Sequence, residues 1–360
     1  MSHALPAAMR GVVLTGFGGF DKLDYRIDLP VPRPGPDEVL VKVGAAGINN
    51  TDINTRIGWY SPAVEGATAA GGASGFAETQ GEGWSGTPFT FPRVQGIDAA
   101  GRIVAVGEGI SEDRIGARVL VEPALRRADG GVDFFGSECD GAFAEYTIAP
   151  AVHAHAIDCA LSDVELASFP CAYSTAENLL HRSGVSEGER VLVTGASGGV
   201  GSAAVQLARR RGAFVTALAG LSKHRAVAAL GADEVLDRHA PLESDYFDAV
   251  IDVVGGARFG GLLRALKPRG RYACSGAIAG PLVELDLRAL YLKDLTLLGC
   301  TALDDGVFAN LVGHIERGEV RPLVCATFPL EKIAAAQRVF LEKRHVGKIV
   351  LTVDPAARTG

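Results

Sequence analysis

Between positions 191 and 201 the chain reads Val191-Leu192-Val193-Thr194-Gly195-Ala196-Ser197-Gly198-Gly199-Val200-Gly201, a short apolar run that feeds a glycine-rich turn with a helix-compatible segment behind it. Few strings constrain a fold as much. An unbroken apolar run suits a strand buried on both faces. The glycines let the backbone turn tightly and come close to another group. A helix that starts behind them points unpaired N–H groups and a partial positive charge over the turn. Strand, turn and helix in that order form the pyrophosphate cradle of a doubly wound sheet. A glycine-rich string alone could be only a sharp strand-to-helix turn, but here the alternation continues. Strand-like runs at 190–194, 214–219, 247–253 and 271–275 are separated by helical periods at 201–211, at 223–230 closed by Gly231, and by one ending near Lys267. Alternating β and α units imply a parallel sheet covered on both faces. Gly195, Ala196, Ser197, Gly198, Gly199, Val200 and Gly201 are therefore predicted to hold a dinucleotide.

Which dinucleotide depends on the end of the second strand, where an acidic residue would hold the adenosine ribose hydroxyls and repel a 2′-phosphate. The sequence there is Gly220-Leu221-Ser222-Lys223-His224-Arg225, with no acid. A hydroxyl and two cations suit a phosphate dianion, so Ser222 and Lys223 point to NADPH. A solvated helix start with Ser as its N-cap would use the same residues.

The part before this alternation reads differently. Short β-rich runs at 12–14, 38–43, 101–106, 118–121 and 143–148, set between turn residues, predict an antiparallel, barrel-like domain. A helix at 330–342 and a strand at 348–353 are expected to return to it. A length of 360 residues supports two domains. The expected division is 1–155 for the β domain, 156–325 for the dinucleotide domain and 326–360 for the return. Residues 61–91 are rich in Gly, Ala, Ser and Thr without a helical or strand period, which predicts a mobile loop. A loop this long tends to be a lid or disorder.

The formal net charge of −7, without a run of like charges, argues against nucleic acid or an anionic membrane as a partner. A small-molecule substrate fits better. No apolar run reaches a bilayer span, and no apolar stretch follows a basic start, so neither membrane insertion nor secretion is expected. Six cysteines without CxxC spacing point to a reducing, cytoplasmic setting.

Several segments carry a family resemblance: Gly47-Ile48-Asn49-Asn50-Thr51-Asp52, Arg56-Ile57-Gly58-Trp59-Tyr60, Pro92-Arg93-Val94-Gln95-Gly96-Ile97-Asp98-Ala99-Ala100-Gly101, Asp140-Gly141-Ala142-Phe143-Ala144-Glu145-Tyr146 and the glycine-rich turn. The chain resembles a quinone-oxidoreductase or enoyl-reductase member of the medium-chain dehydrogenase/reductase superfamily from Met9 to Val353, apart from residues 61–91. The resemblance implies a GroES-like β-barrel catalytic domain, a Rossmann domain, a cofactor in the cleft between them and commonly a homodimer. It also implies that Thr175, Val254, Gly255, Ser275, Gly276 and Ala277 approach the nicotinamide half.

Zinc-dependent members of this superfamily place a Cys two residues after the glycine of the Gly47 motif and a His-Glu pair after the glycine of the Gly96 motif. This chain has Asn49 and Ile97-Asp98 there. Zinc favours thiolate and imidazole, so no metal is expected; Asp98, His153 and His155 are the residues from which an unforeseen site could be drawn. Without a Lewis acid, reduction of an α,β-unsaturated carbonyl or quinone needs a hydrogen-bond donor for the enolate-like oxygen. Asn49 and Tyr60 are the candidates, since an amide donates without titrating and a phenol can give up a proton. The role of Tyr60 is implied by similarity to mitochondrial-type enoyl reductases, and Asp52 joins the motif as a further catalytic candidate or as an intradomain hydrogen-bond partner. The expected function is NADPH-dependent, metal-independent reduction of an activated C=C bond in an enone, quinone or enoyl thioester. A zinc-free carbonyl reductase or alcohol dehydrogenase, and a cofactor-binding protein with little turnover, are the alternatives.

Overall fold

The computed structural model describes residues 5–354 except 78, 80, 82 and 85. Six parallel strands form the sheet of the dinucleotide domain, in the order Glu234–Asp237, Phe214–Ala219, Arg190–Val193, Phe247–Asp252, Leu266–Cys274, Thr296–Gly299. Val191, Leu192, Val193, Val250 and Ile251 are fully buried, as an apolar central strand pair between two helical layers must be. One layer contains the helices Pro170–Arg182, Gly199–Arg210 and Val307–Glu316, and the other contains Phe259–Ala265. Strand order reverses between Arg190–Val193 and Phe247–Asp252, and a crevice at such a switch point is where this architecture binds its ligands.

The second domain is built from antiparallel ladders around Glu38–Gly47, which pairs with Ala100–Val106, Tyr146–Pro150 and Lys348–Thr352. Val39, Val41, Ile48, Ile53, Ile103, Phe143, Ile349 and Leu351 share its core. The C-terminal strand thus returns to the first domain, and the whole is a GroES-like barrel joined to a Rossmann sheet. The helix Pro170–Arg182 is not evident in the sequence, because buried Ser174, Glu177 and Asn178 interrupt the apolar period. Inside the fold Arg211 donates to the Glu177 carboxylate and Asn178 donates to the Ala302 carbonyl, so polar residues take places that periodicity reserves for apolar ones.

Residues 61–91 depart from the expected mobile loop. Ser61, Val64 and Thr68 are buried, and a short helical turn spans Thr68–Gly71. Backbone bonds and a buried arginine hold the segment: Phe76 N donates to Ile57 O at 3.0 Å, Thr68 N to Ile278 O at 3.1 Å, and Arg56 Nη2 to Gly72 O at 2.8 Å. Such anchoring leaves no hydrophobic period for sequence reading to find. Thr68 in particular ties the barrel domain to the loop after Leu266–Cys274. Glu78, Gln80, Glu82 and Ser85 lie outside the described residues.

Candidate active site

The turn after Arg190–Val193 has the geometry that its glycines predict. Gly195 takes φ +57°, and a Cβ on Gly201 would fall 2.2 Å from the Gly195 carbonyl oxygen, so the turn closes only on glycine. Gly198 is the N-cap of the helix Gly199–Arg210 and no side chain caps that end. An atom added at Gly198 would meet only Gly195 O, at 3.4 Å. The uncapped N–H groups therefore face open space of the kind a phosphate fills. Opposite, buried Asp252 accepts from Val254 N at 2.9 Å, Gly255 N at 3.2 Å, Thr194 Oγ1 at 2.5 Å and Tyr272 OH at 2.6 Å, which locks the neighbouring turn in place. Val253 and Val254 reach the Gly195 turn, Ala277 lies against Gly255, and the Ser275 hydroxyl is buried without a partner. An orphaned hydroxyl on the turn after Leu266–Cys274 and an uncapped helix end both fit a polar cofactor running along this crevice. Thr175 is partly exposed on the helix Pro170–Arg182, within reach of Cys171.

At the edge of the cradle Lys223 Nζ donates to Ser197 Oγ at 3.3 Å and to the Lys343 carbonyl at 2.6 Å. Ser222 is exposed beside it. Lys343, invisible to motif reading, comes from the loop after the helix Ile333–Leu341 and its Nζ donates to Asn50 Oδ1 at 2.9 Å. The residue as a whole is exposed, but its ammonium packs over the Phe340 ring, 3.7 Å from the centroid, and desolvation there followed by the nearby Lys223 push it down to about 7. Burial and the charges of Lys343, Lys223 and Lys348 push His345 down to about 4, and its Nδ1 is buried without a partner. The Lys223 ammonium is lowered as well, by burial and then by Arg238. Cations thus repel one another at the mouth of the cradle.

The opposite wall begins at Asn49, which caps the helix Asn50–Ile57 and is nearly buried. Asp52 accepts from Asn49 N at 2.7 Å and is itself 3% exposed. Burial, opposed by that hydrogen bond and reinforced by Asp98, raises the Asp52 carboxyl to about 7. Its position is that of a cap holding the motif. The Asn49 amide donates from Nδ2 to Asp98 Oδ2 at 2.8 Å and accepts at Oδ1 from Lys348 Nζ at 2.5 Å. Lys348 also reaches Asp98 Oδ2 at 2.8 Å, while Asp98 Oδ1 accepts from Cys171 N at 2.7 Å. Tyr60 donates to Thr51 Oγ1 at 3.1 Å and stacks parallel to Trp84, which stacks on Phe134. Burial raises the phenol above its ordinary range, so it keeps its proton at neutral pH.

The donor set at positions 49, 97 and 98 does not fit zinc. Ile97 is a buried hydrocarbon, Asn49 offers a neutral amide, and the Asp98 carboxylate is already paired with a buried ammonium. A dication placed there would face Lys348. His153 and His155 do not meet Asp98; both contact Glu122 Oε2, at 3.0 and 3.1 Å, and His153 Nε2 takes the Arg126 N–H. Among the described residues no group of three or more His, Cys, Asp or Glu is placed to hold a metal ion.

Two family models match the chain: an alcohol dehydrogenase GroES-like domain over residues 35–158 and a zinc-binding dehydrogenase domain over residues 230–351. The chain is similar to a crystal structure assigned to the alcohol dehydrogenases from Sinorhizobium meliloti 1021, with 44% identity, a TM-score of 0.87 and 98% of each chain covered. It is 30% identical to the human synaptic vesicle membrane protein VAT-1 homolog over 96% of this chain and 87% of that one. It is also 30% identical to the quinone oxidoreductase of Lama guanicoe, over 95% and 97%.

Proposed function

Since the chain belongs to the medium-chain dehydrogenase/reductase superfamily, we propose that it is an NADPH-dependent, metal-independent oxidoreductase that reduces an activated C=C bond in an enone, quinone or enoyl thioester. One observation carries the cofactor reading. The uncapped helix end at Gly198 adjoins Lys223, whose ammonium reaches Ser197 Oγ at 3.3 Å and the backbone carbonyl of a second lysine, Lys343, at 2.6 Å. A pyrophosphate suits the first feature, and a 2′-phosphate dianion suits the second.

Bound NADPH supplies the hydride. The chain supplies the rest. One Nδ2–H of Asn49 donates its hydrogen bond to Asp98, which leaves the second N–H to donate to the acceptor's oxygen as charge builds there. Tyr60, protonated at neutral pH, donates a hydrogen bond or a proton from the same wall. The stack of Tyr60, Trp84 and Phe134 gives this wall a flat aromatic character that suits a conjugated acceptor. The name of the quinone oxidoreductase relative supports a C=C or quinone acceptor. The alcohol dehydrogenase assignment of the Sinorhizobium meliloti structure supports a second reading, zinc-free carbonyl reduction.

A panel of enones, quinones, enoyl thioesters, aldehydes and ketones with NADPH tests these readings. Turnover of the first three classes is expected. Turnover of aldehydes and ketones alone would replace the first reading with the second, and tight NADPH binding without turnover would refute both.

No described helix is long and apolar enough to cross a membrane, and the six free thiols support a cytoplasmic setting. The outer edge of Thr296–Gly299, with exposed Leu282, Val283, Leu285, Leu287, Tyr291 and Leu292 just before it, supports a homodimer joined along that edge. Sedimentation would detect it.

A further inference from the structure

The zinc positions of the superfamily converge here on an ammonium group. Lys348 is 2% exposed and Asp98 is fully buried. The Lys348 ammonium lies 2.5 Å from Asn49 Oδ1 and 2.8 Å from Asp98 Oδ2. We infer that Lys348 is the fixed cation of this cleft, a positioning residue that orients and polarises the Asn49 amide. The inference rests on Asn49 being the donor to the acceptor's oxygen.

Two features of the geometry support it. An ammonium can only donate and a carboxylate can only accept, so Lys348 on one side and Asp98 on the other leave the amide a single orientation, Oδ1 toward Lys348 and Nδ2 toward Asp98. An Asn without such partners rotates its amide freely and presents an oxygen to substrate as readily as an N–H. A positive charge on Oδ1 also draws electron density out of the amide, which makes the remaining Nδ2 proton a stronger donor. The electrophilic help that a metal gives directly thus reaches the acceptor through one amide.

The second feature is attachment to the cofactor side. The Lys348 stem lies over the start of the pyrophosphate helix, where a Cβ on Gly199 would come within 2.9 Å of Lys348 Cδ. The preceding residue, Gly347, donates its N–H to Ser197 O at 3.0 Å. Asp98 continues the chain of contacts to Cys171 N at the start of the helix that carries Thr175. The amide's orientation is therefore referenced to the cradle itself. A buried ion pair is rarely retained for stability, because apolar residues of similar volume do as well or better. A pair kept at this junction has an orienting role.

A double-mutant cycle on the full-length protein, saturated with NADPH and assayed on its best acceptor, tests the idea. Asn49→Ala is expected to lower kcat by about a hundredfold, as loss of an oxyanion donor does. Lys348→Met, which keeps the stem, is expected to lower kcat by about tenfold or more while KM and the NADPH Kd move less than about threefold. With Asn49 already gone, Lys348→Met should cost less than about threefold further, since its effect passes through the amide. Independent, multiplying losses would overturn the role of Lys348 while leaving Asn49 as donor. Wild-type kcat in Asn49→Ala would instead remove the donor reading. Should Lys348→Met misfold because Asp98 is left alone, Asp98→Asn/Lys348→Met removes both charges. That pair should recover the melting temperature but remain about tenfold or more down in kcat; full activity would overturn the inference.

Discussion

Gly198→Val separates the cradle's function from its folding, because the site leaves room for a side chain that a phosphate would need. Gly198 sits at φ −81°, ψ 174°, extended backbone open to a β-branched residue, and its added Cβ would touch only Gly195 O at 3.4 Å. Loss of a glycine N-cap costs up to about 1 kcal/mol, and the reduced freedom of the unfolded chain returns about half of that or more. Melting should shift by less than about 4 °C. The isopropyl group, however, occupies the space over the helix N-terminus. If it prevents two N–H groups from reaching the pyrophosphate, each charge-assisted bond is worth about 1.5–3 kcal/mol. Binding should then weaken by about 3–6 kcal/mol, a factor of roughly 10² to 10⁴ in Kd. Fluorescence titration with NADPH beside a thermal melt reads both quantities. A Gly198→Val protein that melts normally and binds NADPH with unchanged affinity would refute the placement of the pyrophosphate. Gly201→Ala is the contrasting control: its Cβ would lie 2.2 Å from Gly195 O, so it should lose binding and stability together.

Three further outcomes follow from the same site. Lys343→Ala and Lys223→Ala should each weaken NADPH by about tenfold or more while leaving NADH within about threefold, and equal losses for both cofactors would remove the 2′-phosphate assignment. Lys343 is held down to about 7 in the free protein and a bound phosphate must raise it, so NADPH affinity should fall as pH rises from about 6.5 to 8.5, with proton uptake on binding and a weaker trend for NADH; a flat NADPH profile would exclude Lys343 from the phosphate site. Tyr60→Phe, which keeps the ring stacked on Trp84, should lower kcat by about tenfold to a thousandfold if the hydroxyl delivers the proton, and wild-type kcat would leave Tyr60 as wall.

The cradle was legible because its chemistry is local: strand, glycines and helix follow one another within a dozen residues, and each type has one physical reason to be there. The same holds for the cap formed by Asn49 and Asp52, three positions apart. Long-range pairing was not legible. Lys343 reaches Lys223 across 120 positions and Lys348 reaches Asn49 across 299, and nothing in the composition around Lys348-Ile349-Val350-Leu351 distinguishes a lysine buried in a cleft from one that merely begins a strand. The sequence reading offered Asn49 as a free amide donor, whereas the fold gives both ends of its amide a partner. Residues 61–91 failed for a different reason. Their order comes from backbone bonds and from Arg56, whose contacts to Gly18 O, Gly72 O and Gln337 Oε1 join three distant segments.

The long-range lysine pairings converge on one short stretch of chain. Lys343, Gly347 and Lys348 lie within six residues, and between them they touch Lys223, Ser197, Asn50, Asn49 and Asp98. The stretch enters the barrel as the strand Lys348–Thr352, paired with Glu38–Gly47 at the very end that leads into Asn49. A loop at that junction is therefore anchored by sheet hydrogen bonds on the barrel side and by the glycine-rich turn on the other. The C-terminal return thus adds a second covalent path to the one that leaves the barrel at Ala154–Ala156 for the helix Pro170–Arg182, and it is this second path that sets the Asn49 wall against the glycine-rich turn. With the return, the distance between donor and cradle depends on a few backbone contacts rather than on the packing of two independent domains. The proposed hydride transfer without a Lewis acid would call for positioning of that kind, because its reacting groups would have to be held in register with no metal to gather them.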